Sequence, residues 1–343
     1  MVDAISQTCG NDNRAGEAAV AAKCFSRIVV LDGATLDPGD NPWDEIAALG
    51  PLEVHARTPP ALVLERARGA DVILTNKTVL DDVTLAELPD LRLLGVLATG
   101  VNVVDVAAAT RQGITVCNVP GYSAYSVPQH VFALLLELTN AVGEHANAVR
   151  GDEWARAVDF SFWKRPLTEL AGKTIGIIGH GRIGARVGEI AHALGMKVLA
   201  YSPSRSNGAG YDGFAWASIA EIFATADVVT LHCPLTNDNV RFVNSDLLST
   251  MRDGSILVNT ARGDLVDEAA LVDALNAGRP SAAALDVLSQ EPPPTGHPLA
   301  THRRCIVTPH IAWATLAARK RVMTITAANI RTFAEGCPQN TVR

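Results

Sequence analysis

The stretch 174–206 constrains the fold of this chain more than any other. An apolar run of strand length opens it, and apolar residues at helical spacing precede a second strand at 197–201. Between the first strand and the helix stand three glycines in GxGxxG spacing: Gly179, Gly181 and Gly184. A βαβ unit with this fingerprint is typical of dinucleotide-binding folds, in which the helix N-terminus attracts phosphate. The context therefore predicts a dinucleotide site, with a ligand-free turn as the alternative.

Each glycine of this loop answers a physical need. Gly179 permits the tight turn out of the strand, and Gly181 lets a pyrophosphate approach the backbone. Gly184 lets the helix pack close to the strand. The remaining positions of the loop complete the predicted cofactor-binding segment: His180, Arg182 and Ile183.

Composition bounds the class of protein. A chain of 343 residues is long enough for two domains. Its net charge of -7 does not favour binding to nucleic acid or to an anionic membrane. No apolar run approaches the ~20 residues of a membrane span. The start of the chain lacks the pattern of a secretory signal, so we expect a cytoplasmic protein with a loosely ordered extension at 1–23. Neither the six scattered cysteines nor the histidines have metal-ligand spacing, which predicts free thiols and no metal.

Short apolar strands alternate with helix-like segments along the chain. Five strands precede a long helical stretch at 128–150: 26–33, 53–57, 70–76, 92–98 and 115–119. Six more follow it: 174–179, 197–201, 227–233, 255–260, 282–287 and 305–310. This rhythm predicts parallel sheets with helices on both faces. The expected fold class is α/β, with two Rossmann-like or flavodoxin-like domains.

The glycine loop assigns the dinucleotide-binding domain to residues 123–313. The last helical stretch, near 315–336, comes after the final strand of that domain, so we expect the chain to cross back there. The substrate-binding domain would then be discontinuous and comprise residues 24–122 and 314–343.

Three polar side chains stand at or just beyond the carboxyl ends of predicted strands: Arg262, Glu291 and His310. Ligands of open α/β sheets gather at such ends. Arg262 can grip a carboxylate and the adjacent carbonyl oxygen with its planar fork of donors. His310 can give a proton to that oxygen, while Glu291 can hold the imidazole by one nitrogen. With hydride from a nicotinamide, this trio suits the reduction of a 2-keto acid to a 2-hydroxy acid.

Each of these residues also has a purely structural explanation. Arg262 could cap a helix or pair with Asp264 or Asp267. Glu291 could be a solvated loop charge, and His310 could be a structural histidine. Their joint occurrence after a glycine fingerprint, all at strand ends, favours the catalytic explanation.

Several motifs occur in the order and spacing of a known family: IGHGRIG, HCPLT, NTARGDLVDE, ALDV followed by Glu291, and TPHIAW. From about residue 26 to 335, the chain resembles the D-isomer-specific 2-hydroxyacid dehydrogenase family on these motifs. Other stretches are most similar to its glycerate dehydrogenase or hydroxypyruvate reductase branch: VLDGATLDPGD, LTNKTVL, GVLATGVNVVDV and the tryptophan of TPHIAW. Pro128 departs from the family pattern, but proline is tolerated at a helix start.

The resemblance implies roles for particular residues. Arg262 would bind the substrate carboxylate, His310 would be the acid/base, and Glu291 would be its partner. Asp286 would contact the nicotinamide amide. Further cofactor contacts are expected in the cofactor groove and the family motifs: His232, Cys233, Pro234, Thr260 and Ala261. Substrate contacts are expected at Thr99, Gly100, Val101 and Trp313. The resemblance also implies a homodimer with the helix near 128–150 in its interface, and substrate bound in the cleft between the domains.

Cofactor choice depends on the end of the second strand of the βαβ unit. NAD-selective sites place a carboxylate there, which repels a 2′-phosphate. This chain has no carboxylate at that place and offers three hydroxyls and one guanidinium instead: Ser202, Ser204, Ser206 and Arg205. Arg205 can bind a phosphate in a charge-assisted pair. We therefore expect NADP(H) or NAD(H), with a preference for NADP(H); if Arg205 points to solvent, either cofactor would serve.

The sequence thus predicts an NAD(P)-dependent oxidoreductase that interconverts a small 2-keto acid and a D-2-hydroxy acid, with hydroxypyruvate or glyoxylate as the leading substrate. A dehydrogenase for another small acid, such as D-lactate or formate, is an alternative. The His310–Glu291 pair favours a hydroxy or keto acid over formate, which needs no such proton relay. A non-catalytic, dinucleotide-sensing interaction protein of the same fold is a second alternative, which the intact catalytic set disfavours.

Overall fold

The computed structural model describes residues 25–205 and 208–342 of the chain. The described chain divides into two units. The first unit runs up to Tyr122 and resumes at Arg319, and the second is Ser123–Ala318. The predicted extension at 1–23 and the hydroxyl of Ser206 lie outside the described residues.

The first unit is built on a parallel sheet of five strands: β1 (Ile28–Val30), β2 (Leu52–Val54), β3 (Val72–Thr75), β4 (Leu93–Val96) and β5 (Thr115–Cys117). Their order in space is β5-β4-β3-β1-β2. Strands β1, β3 and β4 are buried along their whole length. Such continuous burial is expected of parallel strands that helices cover on both faces.

Short helices lie between these strands: α1 (Asp44–Ala47), α2 (Val63–Ala67), α3 (Asp82–Ala86) and α4 (Val106–Arg111). Aspartates cap two of them. The carboxylate of Asp81 accepts the N–H of Thr84, and that of Asp105 accepts the N–H of Ala108. The fourth helix therefore begins at Val106, directly after its capping residue.

The second unit contains a seven-stranded parallel sheet: β6 (Thr174–Ile178), β7 (Lys197–Tyr201), β8 (Phe214–Trp216), β9 (Val228–Leu231), β10 (Ile256–Asn259), β11 (Ala282–Leu285) and β12 (Cys305–Val307). Its order is β12-β11-β10-β9-β6-β7-β8. The strand order therefore reverses direction between β6 and β9. Ligands of doubly wound sheets bind outside the carboxyl ends of the strands at such a switch point.

Seven helices accompany this sheet: α5 (Ser126–Asn140), α6 (Val142–Arg150), α7 (Arg182–Ala193), α8 (Ile219–Thr225), α9 (Ser245–Ser249), α10 (Glu268–Ala277) and α11 (Pro298–Thr301). Pro128 is the third residue of α5 and is buried. The helix tolerates it there because the first N–H groups of a helix have no intrahelical acceptor.

The last helix of the described chain, α12 (Leu316–Ala334), belongs mostly to the first unit. Its Arg319 donates to both carboxylate oxygens of Asp40, at 2.5 and 2.7 Å. Strand β13 (Thr341–Val342) then pairs with β5 and is antiparallel to it. The sheet of the first unit is thus parallel with one antiparallel edge strand.

The prediction of one long helix at 128–150 is wrong, because the helix ends at Asn140. Ala141 has left-handed backbone angles, φ 49° and ψ 42°, and its N–H still bonds to the carbonyl of Glu137. The carboxylate of Glu137 accepts the N–H of Gly143 at 3.1 and 3.2 Å, near the start of the next helix. A side-chain acceptor thus compensates for the interrupted backbone ladder.

The predicted fold class, α/β with parallel sheets, is confirmed. Most predicted strands are shorter in the structure, because the residues at their ends form turns or irregular backbone. Strands β8 and β13 were not predicted, since three and two residues are too few to establish a strand pattern. Within residues 25–205 and 208–342, no helix is both long and apolar enough to cross a membrane.

Candidate active site

The glycine loop joins β6 to α7, and its three glycines occupy places with different steric demands. Gly179 has a φ of 100°, and a Cβ there would lie 2.5 Å from the backbone nitrogen of Cys233. A Cβ at Gly184 would lie 2.2 Å from the carbonyl oxygen of Gly179. Around Gly181, no described atom comes within 4 Å of that position. The turn, the open approach and the close helix packing expected of the three glycines are all present.

The N-terminus of α7 fits a diphosphate group. Gly181 is its N-cap residue, and no side chain caps the helix there. The first N–H groups of such a helix carry a partial positive charge and need acceptors. Arg182 is exposed at the first helical position, whereas Ile183 packs against the core. The loop therefore offers backbone donors and one cation to a dinucleotide, while Ile183 anchors the helix.

His180 has a different place from the one expected of a cofactor contact. Its ring is buried and packs against Phe214 and Trp216, with ring centroids 5.2 and 5.4 Å away. Both aromatic residues belong to β8, which the sequence did not reveal as a strand. The side chain thus joins the loop to β8. A contact between His180 and the dinucleotide would have to involve the backbone of His180.

The turn after β9 lies directly against the glycine loop. His232 bonds to the hydroxyl of Thr230 at 2.9 Å, and loss of contact with water lowers the pKa of His232 to about 3. Burial also raises the pKa of the Cys233 thiol, so it stays protonated. Pro234 is exposed. This predicted groove is therefore lined by neutral groups at pH 7.

The turn after β7 is exposed. Ser204 and Arg205 are exposed, and Ser202 is partly so. The backbone N–H of Arg205 reaches the carbonyl of Ser202 at 3.3 Å, and Arg205 has a positive φ of 48°. The absence of a carboxylate at 202–205 leaves a 2′-phosphate unopposed there.

Neighbouring strands of the second sheet present the three predicted catalytic residues. Strands β10, β11 and β12 are adjacent and parallel, so their carboxyl ends lie along one edge. Arg262 and His310 each stand three residues beyond a strand end, and Glu291 stands six beyond. All three belong to the second unit, at the edge where ligands of such sheets bind.

His310 and Glu291 are in direct contact. The Nδ1 atom of His310 lies 2.6 Å from Oε2 of Glu291, and the two side chains are 26% and 34% exposed. Because an ionised carboxylate only accepts hydrogen bonds, the proton of this contact resides on Nδ1. Nε2 is then the nitrogen left for another ligand. The other carboxylate oxygen, Oε1, accepts the N–H of Leu288 at 3.1 Å, which fixes Glu291 to its own loop.

Arg262 sits on a turn held by the last residue of β10. The buried side chain of Asn259 donates to the carbonyl of Arg262 at 2.8 Å and accepts the N–H of Ala261 at 3.0 Å. The guanidinium gives one hydrogen bond to the carbonyl of Ala261 at 2.7 Å. It forms no ion pair with any described residue, so neither Asp264 nor Asp267 neutralises it. Asp267 instead caps α10.

Asp286 follows β11 and anchors the turn that carries His310. Its side chain is 1% exposed and accepts from the hydroxyl of Thr308 and the N–H groups of Ile311 and Ala312, at 2.6, 2.9 and 2.8 Å. Burial alone would raise the pKa of Asp286, but the hydrogen bonds from His130, Thr308 and the backbone hold it below its usual value. The expected contact of Asp286 with the nicotinamide amide stays a prediction, because its oxygens already serve this turn.

Glu268 connects the loops that carry Arg262 and Glu291. It stands at the start of α10, and its carboxylate accepts the N–H and the hydroxyl of Ser289 at 2.7 and 2.9 Å. The ring of His297 lies 3.3 Å from the same group. Sequence reasoning missed both Asn259 and Glu268. The only signal was a polar residue inside or just after an apolar strand, which many structural positions share.

The remaining predicted contacts fall in both units. Thr260 follows β10, and its hydroxyl is buried without a hydrogen-bond partner among the described residues. Ala261 and Trp313 are partly exposed beside the catalytic turns. Thr99, Gly100 and Val101 belong to the first unit, where the hydroxyl of Thr99 bonds to the carbonyl of Val119 at 2.9 Å. Their contact with substrate stays a prediction.

Metal-ligating side chains do not cluster in the part of the chain that the structure describes. No group of three histidine, cysteine, aspartate or glutamate residues there could hold an ion.

A hydride-transferring oxidoreductase of the two-domain α/β class accounts for the glycine loop and the strand-end side chains together. Comparison with known proteins agrees. A family model described as the D-isomer specific 2-hydroxyacid dehydrogenase, NAD binding domain, matches residues 132–312. That match covers more than half of the chain, and the chain belongs to the D-isomer specific 2-hydroxyacid dehydrogenase family.

Individual relatives are similar over most of their length. A hydroxypyruvate reductase of Blautia hydrogenotrophica is 44% identical over 92% of this chain and 99% of its own. A glycerate dehydrogenase of Methylorubrum extorquens is 41% identical over 84% of this chain and 91% of its own. The solved structure of an acyclic imino acid reductase in complex with NADPH and D-Arg superposes with a TM-score of 0.80, at 29% identity, over 92% of this chain and all of the other.

The chain is therefore an oxidoreductase that uses a nicotinamide dinucleotide and acts on small 2-keto or 2-hydroxy acids. The predictions of family, fold class and enzyme class are confirmed.

Proposed function

We propose that this enzyme reduces a short 2-keto acid to the D-2-hydroxy acid, with hydroxypyruvate or glyoxylate as its preferred substrate. The observation that carries the proposal is the 2.6 Å contact between His310 and Glu291, in the same unit as Arg262, which forms no ion pair with any described residue. The printed activities of the two relatives, hydroxypyruvate reductase and glycerate dehydrogenase, support the choice of substrate.

Arg262 is the proposed carboxylate-binding residue. Its guanidinium has five N–H donors, and the carbonyl of Ala261 takes one of them. The others can bind one carboxylate oxygen of the substrate and the neighbouring keto oxygen in a forked arrangement. Such binding orients the keto group and stabilises the negative charge that develops on its oxygen.

His310 is the proposed proton donor. A bound reduced nicotinamide supplies the hydride that the carbonyl carbon receives. Since Glu291 accepts the proton on Nδ1, the doubly protonated imidazole gives the proton on Nε2 to the keto oxygen. His310 is then neutral and still bonded to Glu291. The carboxylate thus keeps one tautomer and one ring orientation through the cycle.

The dinucleotide would be held by the glycine loop. The backbone around Gly181 is open, and the uncapped N-terminus of α7 offers donors to the diphosphate. We propose that NADP(H) is preferred over NAD(H). The exposed guanidinium of Arg205 and the lack of a carboxylate beside it support this preference.

The experiment that tests the activity is a reductase assay over a panel of 2-keto acids with each cofactor. We expect hydroxypyruvate and glyoxylate to give the highest kcat/KM, with pyruvate lower and formate not oxidised. Preferential turnover of pyruvate would assign the enzyme to D-lactate instead. Binding of the dinucleotide without turnover of any keto acid would favour a dinucleotide-sensing protein.

We also propose that the enzyme is a homodimer whose interface includes the segment that follows α6. Its large apolar side chains are unusually exposed, with Val158 at 101%, Phe160 at 90% and Trp163 at 67%. Two apolar residues of α6, Val142 and Val149, are exposed as well. Several large, exposed apolar side chains within one stretch of sequence favour an interaction site there. Light scattering after gel filtration should give the mass of a dimer, and replacement of Phe160 and Trp163 by serine should shift it toward the monomer. A wild-type monomer at micromolar concentration would contradict the proposal.

A further inference from the structure

His130 is a titratable residue that the proposed reaction does not use. It lies on α5, and its side chain is 19% exposed. Its Nε2 atom is 3.0 Å from the hydroxyl of Thr308 and 3.4 Å from Oδ1 of Asp286. These two partners are the groups that hold the turn bearing His310.

The direction of each hydrogen bond follows from the donors available. Asp286 is ionised and can only accept, because its pKa is held below the usual value by the groups around it. The single hydroxyl proton of Thr308 is therefore donated to Asp286. The 3.0 Å contact between His130 and Thr308 then requires its proton to be on Nε2 of His130. His130 thus donates toward the pair formed by Thr308 and Asp286.

The turn they hold is strained. His310 has a φ of 53°, in the left-handed region that residues other than glycine rarely adopt. Such a conformation is unfavourable and persists only where the surrounding structure fixes it. Here the carbonyl of Asp286 accepts the N–H of His310 at 2.9 Å, and its carboxylate accepts the N–H groups of the next two residues. Every backbone donor at 310–312 is therefore tied to one buried residue.

We propose that His130 is a positioning residue, which holds His310 toward Glu291 by bracing Thr308 and Asp286. Removal of its donor deprives the Thr308 hydroxyl of one hydrogen bond and takes away a donor 3.4 Å from Asp286, so the pair formed by Thr308 and Asp286 can shift. Because Asp286 bonds to the whole turn, such a shift moves the imidazole away from its catalytic orientation. A displacement of about 1 Å can lower a rate by roughly 100-fold.

This inference rests on the proposed function, since it takes His310 as the proton donor. The variants are His130→Phe, which removes the donor, and His130→Gln, which restores an N–H near the same place. We expect His130→Phe to lower kcat about 10- to 100-fold, with KM for the keto acid and the dissociation constant of the dinucleotide within about threefold of wild type. His130→Gln should recover most of kcat.

A second pair of variants covers the case in which His130→Phe does not fold. Thr308→Val removes the hydroxyl that both partners share and should lower kcat to a similar extent. Thr139→Val is the matched control, because Thr139 is a buried threonine of α5 whose hydroxyl bonds only within its own helix. It should keep wild-type kcat. Combined with His130→Phe, Thr308→Val should lower kcat far less than the product of the single effects.

Amide hydrogen exchange provides a readout that does not depend on turnover. We expect the peptide covering 305–315 to exchange at least about tenfold faster in His130→Phe and Thr308→Val, and at the wild-type rate in His130→Gln and Thr139→Val. Wild-type kcat and wild-type exchange in His130→Phe would overturn the inference while leaving the proposed function intact. If the wild-type protein reduces no keto acid, the proposed function fails, and the exchange rates still decide whether His130 holds the turn.

Discussion

The turns after β10 and β12 and the turn after β7 lie at the same edge of one sheet, yet they differ in how buried side chains hold them. In the first group, the buried side chains of Asn259 and Asp286 bond to the backbone of the turns that carry Arg262 and His310. At the second, Ser204 and Arg205 are exposed, and the N–H of Arg205 reaches the carbonyl of Ser202 at 3.3 Å. Proton and hydride transfer require fixed distances, whereas attraction of a 2′-phosphate requires only a charge within reach. Buried side chains thus fix the turns proposed for catalysis, whereas the guanidinium proposed for phosphate binding is exposed.

The strongest test of the turns that carry Arg262 and His310 is the substitution His310→Gln. Glutamine keeps a hydrogen-bonding side chain but cannot deliver a proton, so we expect kcat to fall by ~10²–10⁴. The dissociation constant of the dinucleotide should stay within about twofold of wild type. Steady-state kinetics and calorimetry measure the two quantities. An unchanged kcat would show that His310 is not the donor.

The next test is the replacement of Arg262. Arg262→Ala should lower kcat/KM for keto acids by an amount that corresponds to ~3 kcal/mol or more, because the substrate carboxylate loses its charged partner. Arg262→Lys should recover little, since a point charge cannot reproduce the planar fork. Near-normal kcat/KM for the lysine variant would mean that Arg262 only closes its turn.

In the exposed turn after β7, Arg205→Ala should abolish most of the preference for NADPH over NADH. One charge-assisted hydrogen bond contributes ~1.5–3 kcal/mol, which corresponds to a preference for NADPH of roughly 10- to 100-fold in kcat/KM. Ser202→Asp should turn the enzyme toward NADH. Melting temperatures should not change, because neither side chain is part of the core. Faster wild-type reduction with NADH than with NADPH, at matched low concentrations, would contradict this account.

Substitutions at two glycines of the loop should affect different properties, namely the stability of the fold and the binding of the dinucleotide. Gly184→Ala places a Cβ against the carbonyl of Gly179 and should lower the free energy of unfolding by ~1–3 kcal/mol. Gly181→Ala meets no described atom within 4 Å and should leave stability nearly unchanged, yet it should weaken dinucleotide binding. Denaturant unfolding and calorimetry measure both effects. Equal binding by Gly181→Ala and wild type would argue that the diphosphate approaches elsewhere.

His232, in the turn after β9, makes the stability of the fold depend on pH. Its pKa of about 3 lies far below the usual 6.5, so the unfolded chain binds a proton below pH 6.5 that the folded chain does not. Stability from this group is therefore complete above pH 6.5 and declines as the pH falls, by at most about 1.4 kcal/mol per pH unit. His232→Gln should lose less stability than wild type between pH 7 and pH 5. Parallel pH profiles for the two proteins would show that the ring is accessible to protons.

The sequence was sufficient for the features that repeat in many chains. The glycine spacing predicted the βαβ unit, and the strand-end positions predicted that Glu291 and His310 could meet. It was not sufficient where a single buried side chain decides the geometry. Neither the break at Ala141 nor the bracing of a turn by Asp286 leaves a periodic pattern. The first depends on the left-handed backbone angles of one residue, and the second on contacts between residues distant in sequence. Strand β8 was missed for the same reason, since pairing with β7 rather than its own three residues establishes it.

The aromatic packing beneath the glycine loop has an optical consequence. Trp216 meets the ring of His180 edge-on, with centroids 5.4 Å apart, and His180 belongs to the loop between β6 and α7. The emission of an indole responds to the charge and polarity of its immediate surroundings. The loop therefore lies against a fluorophore of β8, Trp216, whose signal should change when a dinucleotide binds to the loop. A chain in which the other tryptophans are replaced by phenylalanine would report occupancy of the loop directly, without substrate and without a label.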